Sequence, residues 1–457
     1  MNYDVIVIGS GQAGVPLAAR LAEAGKRTAI VERSHLGGTC VNTGCTPTKT
    51  MIATARAAHV ARTAGRLGVR AGAVTVDLPA VVARKNEIVE QWRSSVERRL
   101  HRAGERLTLV RGEARFTGPR SVEVNGETHT AETVIINAGG RPIVPPIDGL
   151  EAVGFLDNES AMELRELPSH LIVLGGGYIG CEFAQMYRRF GAGVTIVQRA
   201  PHLLPREDEE VSEALEEVFE AEGIGLRLGA EARSVRREGA ELVVRLENGE
   251  ALRGSHLLVA VGRRPNTAAL DCEAAGVRLD DGGYVMADDR YRTTAEGVYA
   301  VGDVLGPFPQ FTHSSWDDHR LLFDLLLGRG DRGRSDRVIP YCVFTDPQVA
   351  RVGLSERDAR ERAVEYEVAQ MPFGRVARAI ETDEKAGVMK VLLDPRSERI
   401  LGAALVGAEA GELIHIFVAV MSAGASARAI VDAEAVHPTF AEGVQTLVMR
   451  LNRYALS

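Results

Sequence analysis

Two cysteines, Cys40 and Cys45, are separated by four residues, a spacing that suits redox chemistry. We expect a helix to begin just after the pair, because Thr46 can cap it and Pro47 suits its first turn. The partial positive charge of a helix N-terminus favours a thiolate on Cys45. A cysteine with the ordinary pKa of about 8.5 is only slightly ionised at neutral pH, and a pKa about two units lower would make the thiolate the main species. The pair therefore predicts a redox-active dithiol, provided that an electron donor can reach it.

One half of a zinc site is the alternative interpretation, because cysteines two to four residues apart commonly bind zinc. The chain contains five cysteines, and Cys181, Cys272 and Cys342 are each isolated. The sequence has no second pair and no His-x-x-x-His pattern that would complete a tetrahedral site. We therefore predict no metal site and assign no chemistry to the three isolated cysteines.

A strand, a glycine-rich turn, a helix and a second strand are predicted within residues 3–32. The turn has the Gly-x-Gly-x-x-Gly spacing, with Gly9, Gly11 and Gly14. Such glycines let the backbone approach a pyrophosphate, which binds at the helix N-terminus. Glu32 ends the second strand 23 residues after Gly9 and would accept hydrogen bonds from ribose hydroxyls. With these flanking elements, the motif indicates a dinucleotide-binding unit.

The same pattern recurs in the middle of the chain. A strand at 171–174 leads into a second glycine turn, and a helix through Phe190 and a strand at 194–197 follow. The three glycines of this turn are Gly175, Gly177 and Gly180. Two such units in one chain predict two nucleotides, and a flavin with a nicotinamide is the natural pairing.

Length, charge and cysteine content restrict the class of protein. The chain has 457 residues, 45% of them hydrophobic and 25% charged, which is ordinary for a globular protein of roughly three domains. A net charge of −8 gives no reason to expect nucleic acid or an anionic membrane surface as a partner. No apolar run approaches the roughly 20 residues that span a bilayer. Scarce cysteines fit a reducing compartment, and a strand that starts by residue 4 leaves no room for a signal peptide, so we expect a cytoplasmic protein.

The rest of the chain shows further elements and one boundary. The patterns predict helices at 78–103 and at about 411–424 and 440–453. They also indicate strand-like runs at 107–124 and 128–136 and a buried strand at 297–303 that ends in Asp303. The proline-rich stretch 141–146 indicates a domain boundary. From about residue 336 there is no glycine fingerprint, so the last third is predicted to form a separate α+β domain.

Several ordered motifs carry a family resemblance along essentially the whole length. They are the first fingerprint with Glu32, the dithiol segment 37–49, Ala138-Gly139-Gly140, the second fingerprint, 261–266, Gly302-Asp303, and His437-Pro438-Thr439 with Glu442. The chain resembles the class I FAD-dependent pyridine nucleotide–disulfide oxidoreductases, which include glutathione reductase, dihydrolipoyl dehydrogenase and mercuric reductase. Residues 344–349 and the C-terminal tail are similar to the mercuric-reductase-like branch.

The resemblance implies an α/β fold with two Rossmann-like dinucleotide-binding domains, for FAD and NAD(P), and a C-terminal α+β dimerisation domain. The implied segments are FAD-binding 1–145, NAD(P)H-binding 146–265, an FAD-binding return segment 266–335 and an interface domain 336–457. It also implies a homodimer with a shared active site, because in this family the His–Glu pair reaches the dithiol of the other subunit.

The resemblance further implies a role for each matching residue near the flavin. FAD would lie on the first unit, with Asp303 at its ribityl chain. Cys45 would face the flavin as the charge-transfer thiol, and Cys40 would be the interchange thiol that attacks the substrate. Other matching positions expected at the cofactors are Gly38, Thr39, Ala138, Gly139 and Gly262.

Two more roles follow from the resemblance, and one has independent support. Lys49 would lie near flavin N5 and pair with Glu182, while Tyr178 would cover the nicotinamide pocket. Lys49 follows Cys45 by four residues, so on one helix both side chains share a face. A cation there would stabilise negative charge on a reduced flavin ring.

His437 is a candidate general base, because its ordinary pKa of about 6.5 suits proton transfer from a thiol near neutrality. Glu442 has two interpretations. It orients His437, or it belongs to a capping box with Thr439 and only satisfies the start of a helix. The sequence leaves both open.

The ends of the two fingerprint units differ in charge. The first ends in Glu32, whereas the second ends 23 residues after Gly175 in the neutral Gln198. An acid at that place would bind the 2′-hydroxyl of NAD and repel the 2′-phosphate of NADP. Because Gln198 is followed by Arg199 and Arg206, we predict NADPH over NADH.

The substrate is less constrained by the sequence. Mercuric reductases carry a vicinal cysteine pair near the C-terminus, and the tail 444–457 has none. They typically have Tyr in the place of His437, which would instead protonate a leaving thiolate. The leading prediction is reduction of a small disulfide. The alternatives are reduction of Hg(II), Cu(II) or another oxidant by the same dithiol, an NAD-linked dihydrolipoyl dehydrogenase, disfavoured by Gln198, and a flavin-bound redox sensor.

Overall fold

The computed structural model describes residues 1–306 and 310–454. The strands are β1 Asn2–Ile8, β2 Thr28–Glu32, β3 Leu107–Arg111, β4 Ala114–Gly118, β5 Ser121–Val124, β6 Glu127–Ile136, β7 Gly140–Pro142, β8 His170–Leu174, β9 Gly193–Gln198, β10 Gly225–Leu228, β11 Ala232–Glu238, β12 Glu241–Leu246, β13 Ala251–Gly254, β14 His256–Val259, β15 Arg263–Pro265, β16 Val298–Ala300, β17 Pro340–Val343, β18 Gln348–Gly353, β19 Glu367–Pro372, β20 Val388–Leu393 and β21 Ile400–Gly407.

The helices are α1 Gly14–Glu23, α2 Gly38–Asn42, α3 Cys45–Thr63, α4 Leu78–Arg102, α5 Leu150–Val153, α6 Asn158–Ala161, α7 Tyr178–Phe190, α8 Glu209–Ala221, α9 Thr312–Leu326, α10 Glu356–Glu361, α11 Ala377–Glu381, α12 Ala410–Ser422, α13 Arg428–Val431 and α14 Phe440–Val448. Short 3₁₀ turns lie at Ala64–Leu67, Cys272–Ala275, Gly302–Val304, Arg334–Asp336 and Phe373–Arg375. No helix among the described residues combines the length and apolar character needed to cross a bilayer.

The chain divides into two compact units. The first consists of Met1–Thr50, Val82–Ile143 and Gly262–Arg337. Its main sheet has the order β3-β2-β1-β6-β5-β4, and β16 pairs with β6. Strands β1, β2, β3, β6 and β16 run parallel. The near-continuous apolar runs of β1 and β2 suit a sheet covered on both faces. A two-stranded sheet of β7 and β15 completes the unit.

The second unit consists of Met51–Val81, Val144–Val261 and Val338–Ser457. It contains a parallel sheet of order β10-β9-β8-β14, which carries the second fingerprint, and a three-stranded antiparallel sheet β11-β12-β13. Its C-terminal part forms a five-stranded antiparallel sheet of order β17-β18-β21-β20-β19. Helices α12 and α14 pack on this sheet through buried side chains such as Phe417 and Leu447. Two Rossmann-like sheets and a C-terminal α+β portion agree with the predicted fold class.

Two predicted elements are shorter than expected. Helix α14 ends at Val448 rather than at 453, because the chain then turns to bury Leu451 and to place the hydroxyl of Tyr454 on Glu398 at 2.8 Å. Strand β16 covers only Val298–Ala300, and Asp303 lies in the following 3₁₀ turn rather than at a strand end.

Candidate active site

Cys40 and Cys45 both belong to the first unit and lie on two consecutive helices. Cys40 is in the short helix α2, which the sequence patterns did not predict, and Cys45 is the first residue of α3. Thr46 therefore lies inside the first turn, so its prediction as the cap was wrong. The predicted placement of Cys45 at a helix N-terminus is confirmed. Both cysteines are thiols in the structure, Cys45 exposed and Cys40 half-buried.

The two thiols are not equivalent. A hydrogen bond to Cys45 and burial raise the pKa of Cys40 well above its ordinary value, although Thr312 and Lys49 act in the opposite direction. Cys40 therefore keeps its proton at neutral pH and donates it toward Cys45. Such a pair needs a base before Cys40 can act as a nucleophile.

Helix α9 presents three side chains to this region from one face, at positions three residues apart. Thr312 Oγ1 lies 3.1 Å from Cys45 Sγ. Ser315 Oγ donates to Asp303 at 3.4 Å, and Asp318 accepts a hydrogen bond from the backbone N–H of Gly302 at 2.8 Å. Sequence reasoning missed all three α9 residues, since no local pattern joins them to the dithiol.

Two carboxylates flank this turn, the half-buried Asp303 and the buried Asp318. Burial raises the pKa of Asp303, and Arg263 and Ser315 only partly oppose the effect. Burial likewise raises the pKa of Asp318, whose Oδ1 is 2.9 Å from the Arg337 guanidinium. The Asp318–Arg337 pair fixes the backbone that presents Asp303.

The first glycine turn is closed around Asn137. A Cβ on Gly9 would lie 2.3 Å from Asn137 O, and one on Gly14 would lie 2.0 Å from Gly9 O. The Asn137 side chain accepts from Gly14 N at 2.9 Å and donates to Val301 O at 3.1 Å. Asn137 is a fourth residue that sequence reasoning missed, although it directly precedes the Ala138-Gly139-Gly140 motif.

The start of the dithiol segment packs on this turn. A Cβ on Gly38 would lie 2.7 Å from Gly11 Cα, so only glycine allows the two backbones to meet. Thr39 and Ala138 are half-buried nearby in the same unit, and a Cβ on Gly139 would meet no atom within 4 Å. This open side of the turn leaves room for a ligand.

Glu32 is buried and holds the first turn together. Its Oε2 accepts from Ser10 N at 3.0 Å and from Ser10 Oγ at 2.6 Å, and its Oε1 accepts from Ser34 N at 2.8 Å. A carboxylate oxygen accepts more than one hydrogen bond, so ribose hydroxyls remain compatible with this arrangement.

The second glycine turn has the same close backbone contacts as the first, with Gln198 in the place of Glu32. A Cβ on Gly175 would lie 2.5 Å from Ala260 O, and one on Gly180 would lie 1.9 Å from Gly175 O. A Cβ on Gly177 would meet nothing within 4 Å. Gln198 is buried and accepts from Gly176 N at 3.1 Å, in the manner in which Glu32 accepts from Ser10 N.

Arg199 and Arg206 are both exposed on the segment that follows Gln198. Neither makes an ion pair with another described residue, whereas Arg33, the counterpart of Arg199 in the first unit, pairs with Glu113 at 3.1 Å. The second fingerprint is therefore followed by two guanidinium groups whose charge no carboxylate among the described residues compensates. In the first unit, the charge of Arg33 is compensated by Glu113.

His437 and Glu442 are brought together by the start of α14. His437 Nδ1 lies 2.8 Å from Glu442 Oε2, while Thr439 Oγ1 accepts from Glu442 N at 3.2 Å. The cap thus uses the backbone of Glu442 and leaves its carboxylate for the imidazole. His437 is 73% exposed on the second unit.

The other predicted residues lie where the helices place them. Lys49 is half-buried one turn after Cys45 on α3. Glu182 is buried in α7 and accepts from Phe344 N at 2.9 Å, and Tyr178 is the first residue of that helix. Lys49 belongs to the first unit and Glu182 to the second, so their pairing stays a prediction. Gly262 is exposed and has a φ of 141°.

Comparisons with known proteins identify the family. The pyridine nucleotide-disulphide oxidoreductase family matches residues 3–318, and the dimerisation domain of the same family matches residues 339–448. The chain belongs to this family. Its members are FAD-dependent and use a pyridine nucleotide, and the present chain is an oxidoreductase of the flavoprotein disulfide reductase type that carries the family's dimerisation domain.

Individual relatives in the family match almost the whole length of this chain. RclA, a probable pyridine nucleotide-disulfide oxidoreductase of Escherichia coli K12, is 36% identical over 457 residues, covering 98% of both chains. A mercuric reductase of Staphylococcus aureus is 33% identical over 457 residues, covering 99% of this chain and 83% of that protein. The solved Cu(II) complex of the HOCl-induced flavoprotein disulfide reductase RclA from Escherichia coli has a TM-score of 0.89 and 35% identity, covering 98% of this chain and 99% of that one.

The residues of the first unit fit the FAD of the family. The turn at Gly9–Gly14 leaves backbone N–H groups at a helix start, and the space beside Gly139 is open. Asp303 contributes a half-buried carboxylate that suits hydroxyl donors. The second turn, with its open side at Gly177, suits the pyridine nucleotide.

Proposed function

We propose that this protein is an NADPH-dependent reductase of small disulfides that acts through Cys40 and Cys45. The observation that carries the proposal is the asymmetry of the pair. Cys40 keeps its proton and shares it in a hydrogen bond with Cys45, which begins α3. Cys45 is suited to remain a thiolate beside an electron donor, and Cys40 is suited to attack once a base removes its proton. Bound FAD would supply two-electron transfer from the nicotinamide to the cysteines.

The proton transfers and the thiol–disulfide exchange are then carried out by the chain's own residues. His437 takes the proton of Cys40, and the thiolate attacks one sulfur of the substrate disulfide to form a mixed disulfide. The leaving thiolate takes that proton from the imidazolium, which Glu442 orients and stabilises. Cys45 then attacks Cys40 and releases the second substrate thiolate, so the substrate gains two electrons and the dithiol becomes a disulfide.

The proposal places the remaining predicted residues around these steps. Asp303 and Glu32 bind FAD hydroxyls, and Lys49, paired with Glu182, stabilises negative charge on the reduced flavin. Tyr178 covers the nicotinamide pocket. The domain limits at 145, 265 and 335 and a homodimer with His437 from the partner belong to the same proposal, which the family's dimerisation domain supports.

NADPH is proposed as the reductant because of the charge around the second turn. Gln198 keeps the hydrogen bond to Gly176 without adding a negative charge, and Arg199 and Arg206 remain uncompensated. A charge-assisted contact to a phosphate contributes about 1.5–3 kcal/mol, which is about ten- to a hundredfold in preference. Equal values of kcat/KM for NADPH and NADH would contradict this part of the proposal.

The thiol mechanism is tested with Cys40→Ser. We expect disulfide turnover to be lost, because the nucleophile is gone, while NADPH oxidation by artificial quinones stays largely intact, because quinones take electrons from the flavin directly. NADPH consumption is followed with a panel of small disulfides and quinones. Cys272→Ser, which changes a buried cysteine of the first unit, serves as the control. Disulfide turnover retained in Cys40→Ser would refute the mechanism.

Reduction of a metal ion is the second candidate function. It is favoured by the similarity to a solved Cu(II) complex and to a mercuric reductase. The same panel, extended with Cu(II) and Hg(II), distinguishes the candidates. NADPH consumption that is accelerated by a metal ion alone would favour the metal reductase. Efficient NADH-linked oxidation of dihydrolipoamide would favour the dehydrogenase. If no compound accelerates NADPH consumption, a redox sensor would be favoured.

A further inference from the structure

The segment 199–208 connects β9 to α8 and carries both uncompensated arginines. Its middle folds back over the second glycine turn, where Leu204 N donates to Gly176 O at 2.8 Å. Leu203 is fully buried, and a Cβ on Gly176 would lie 2.6 Å from its Cδ2. Arg206 remains exposed beside this packed part. The position of Arg206 is therefore determined by how the end of the segment is held.

The first attachment is Glu207, which directly follows Arg206 and is buried. Its carboxylate accepts a hydrogen bond from the Tyr341 hydroxyl of β17, and its Oε2 lies 3.3 Å from Arg351 Nε of β18. Arg351 is bound in turn to Asp358 at 2.9 Å. Two side chains of the C-terminal sheet thus hold Glu207, the residue next to Arg206.

The second attachment is Asp208, whose carboxylate accepts from Lys390 Nζ at 2.9 Å. It also accepts from the backbone N–H groups of Glu356 at 3.0 Å and Arg357 at 3.2 Å. Burial disfavours the ionised form of Asp208, but these hydrogen bonds outweigh it and lower the pKa. Asp208 is consequently a fixed anion between the 199–208 segment and the C-terminal sheet.

Lys390 lies at the centre of this arrangement on β20. It is 1% exposed, and its ammonium contacts the carboxylates of Asp208, Glu210 and Glu356. One carboxylate oxygen from each of these three acids lies within 4.8 Å of the other two, and Lys390 supplies one hydrogen-bond donor for each acid. Burial alone would lower the pKa of Lys390, but the hydrogen bonds with the acids raise it, so the cation persists.

We propose that Lys390 and Arg351 are positioning residues that set the selectivity for the 2′-phosphate of NADPH by fixing Arg206. The inference rests on the proposed preference for NADPH. An arginine held in place loses little conformational freedom when it binds a phosphate. A mobile arginine must first become ordered, and the entropy cost reduces the free energy of binding. NADH lacks the phosphate, so its binding does not depend on the position of Arg206.

The first test measures the segment and its ligand without turnover, using Lys390→Met and Arg351→Gln in the full-length holoenzyme. We expect faster amide hydrogen exchange in residues 199–208 of both variants. Adenosine 2′,5′-bisphosphate should bind about tenfold more weakly, while 5′-AMP should change by less than about twofold. Lys26→Met, which removes an exposed lysine of the first unit, is the matched control and should behave as the wild type.

The second test separates positioning from a merely structural role. For both variants we expect a higher KM for NADPH, an unchanged KM for NADH and an unchanged kcat at saturating NADPH. A loss that is equal for the two nucleotides would overturn the inference. Lys390→Met leaves three acids without their cation and could fail to fold, in which case Arg351→Gln decides the question through Glu207. If the wild type shows no preference for NADPH, the proposed cofactor fails, and unchanged hydrogen exchange in 199–208 would then overturn the positioning role as well.

Discussion

Glu32 and Gln198 are the residues at which the two nucleotide turns differ in charge while keeping the same hydrogen bond. Each side chain accepts from the second residue of its turn, at 3.0 Å from Ser10 N and 3.1 Å from Gly176 N. The structural role therefore tolerates either an acid or an amide. Whether an acid or an amide is present therefore affects the nucleotide rather than the turn, since only the acid repels a 2′-phosphate.

Gln198→Glu should consequently change the cofactor preference without unfolding the turn. The carboxylate can replace the amide oxygen at Gly176, and its charge opposes a phosphate held by Arg199 and Arg206. We expect kcat/KM for NADPH to fall about ten- to a hundredfold, with little loss for NADH. Steady-state kinetics with both nucleotides measures the ratio, and Gln370→Glu, at an exposed position of β19, is the matched control. An unchanged ratio would mean that Gln198 does not face the discriminating phosphate.

Contacts between residues that are close in the sequence could be predicted, whereas contacts between distant residues could not. The pairing of His437 with Glu442 was one of two interpretations that a local motif allowed, and the structure places the two side chains at 2.8 Å. The contact of Thr312 with Cys45 joins residues 267 positions apart, and Asn137 bridges Gly14 and Val301. Such contacts depend on the assembled sheet, which a local pattern does not describe.

At the element scale, the glycines of the second turn have separable roles. Gly180→Ala would place a Cβ 1.9 Å from Gly175 O, so α7 cannot keep its approach to β8. Gly177→Ala meets no atom within 4 Å and leaves the backbone unstrained. We expect Gly180→Ala to destabilise the protein by about 3 kcal/mol, and Gly177→Ala to fold normally but bind NADPH more weakly. Thermal unfolding and nucleotide titration distinguish the two, and equal effects of both on unfolding would contradict this assignment.

Helix α9 contains a buried histidine that should make stability depend on pH. His319 is 3% exposed, its Nδ1 contacts Trp316 O, and burial with nearby arginines lowers its pKa to about 4. The unfolded chain has a histidine pKa of about 6.5, so between these values the unfolded state binds more protons and stability falls as the pH falls. His319→Gln should lose less stability than the wild type from pH 7 to pH 4. Thermal midpoints across this range test it, and the exposed His101→Gln should keep the wild-type slope.

Elements with strong local patterns were predicted well, and those fixed by tertiary contacts were not. The apolar runs of β1, β2, β8 and β9 and the long helix α4 match the predictions, because periodicity and burial act on each element separately. Helix α2 has five residues and no pattern of its own. It forms where Gly38 packs on Gly11, so its existence depends on the completed nucleotide turn.

At the scale of the whole molecule, the proposed reaction requires two subunits. The dimerisation domain of the family matches residues 339–448, which include His437 and Glu442. His437 is 73% exposed, as expected for a side chain that serves a site completed by a partner. If each site combines Cys40 of one subunit with His437 of the other, two inactive variants can complement each other.

Coexpression of Cys40→Ser with His437→Gln tests this arrangement. In a mixed dimer one site carries both substitutions, and the other carries neither. Random association makes half of the dimers mixed, so disulfide reduction should recover to about one quarter of the wild-type rate. Each variant alone should be inactive toward disulfides, because one lacks the nucleophile and the other lacks the base for the proton of Cys40. If Cys40 and His437 act within the same subunit, no site escapes substitution and no activity returns, which would refute the shared site while leaving the thiol mechanism intact.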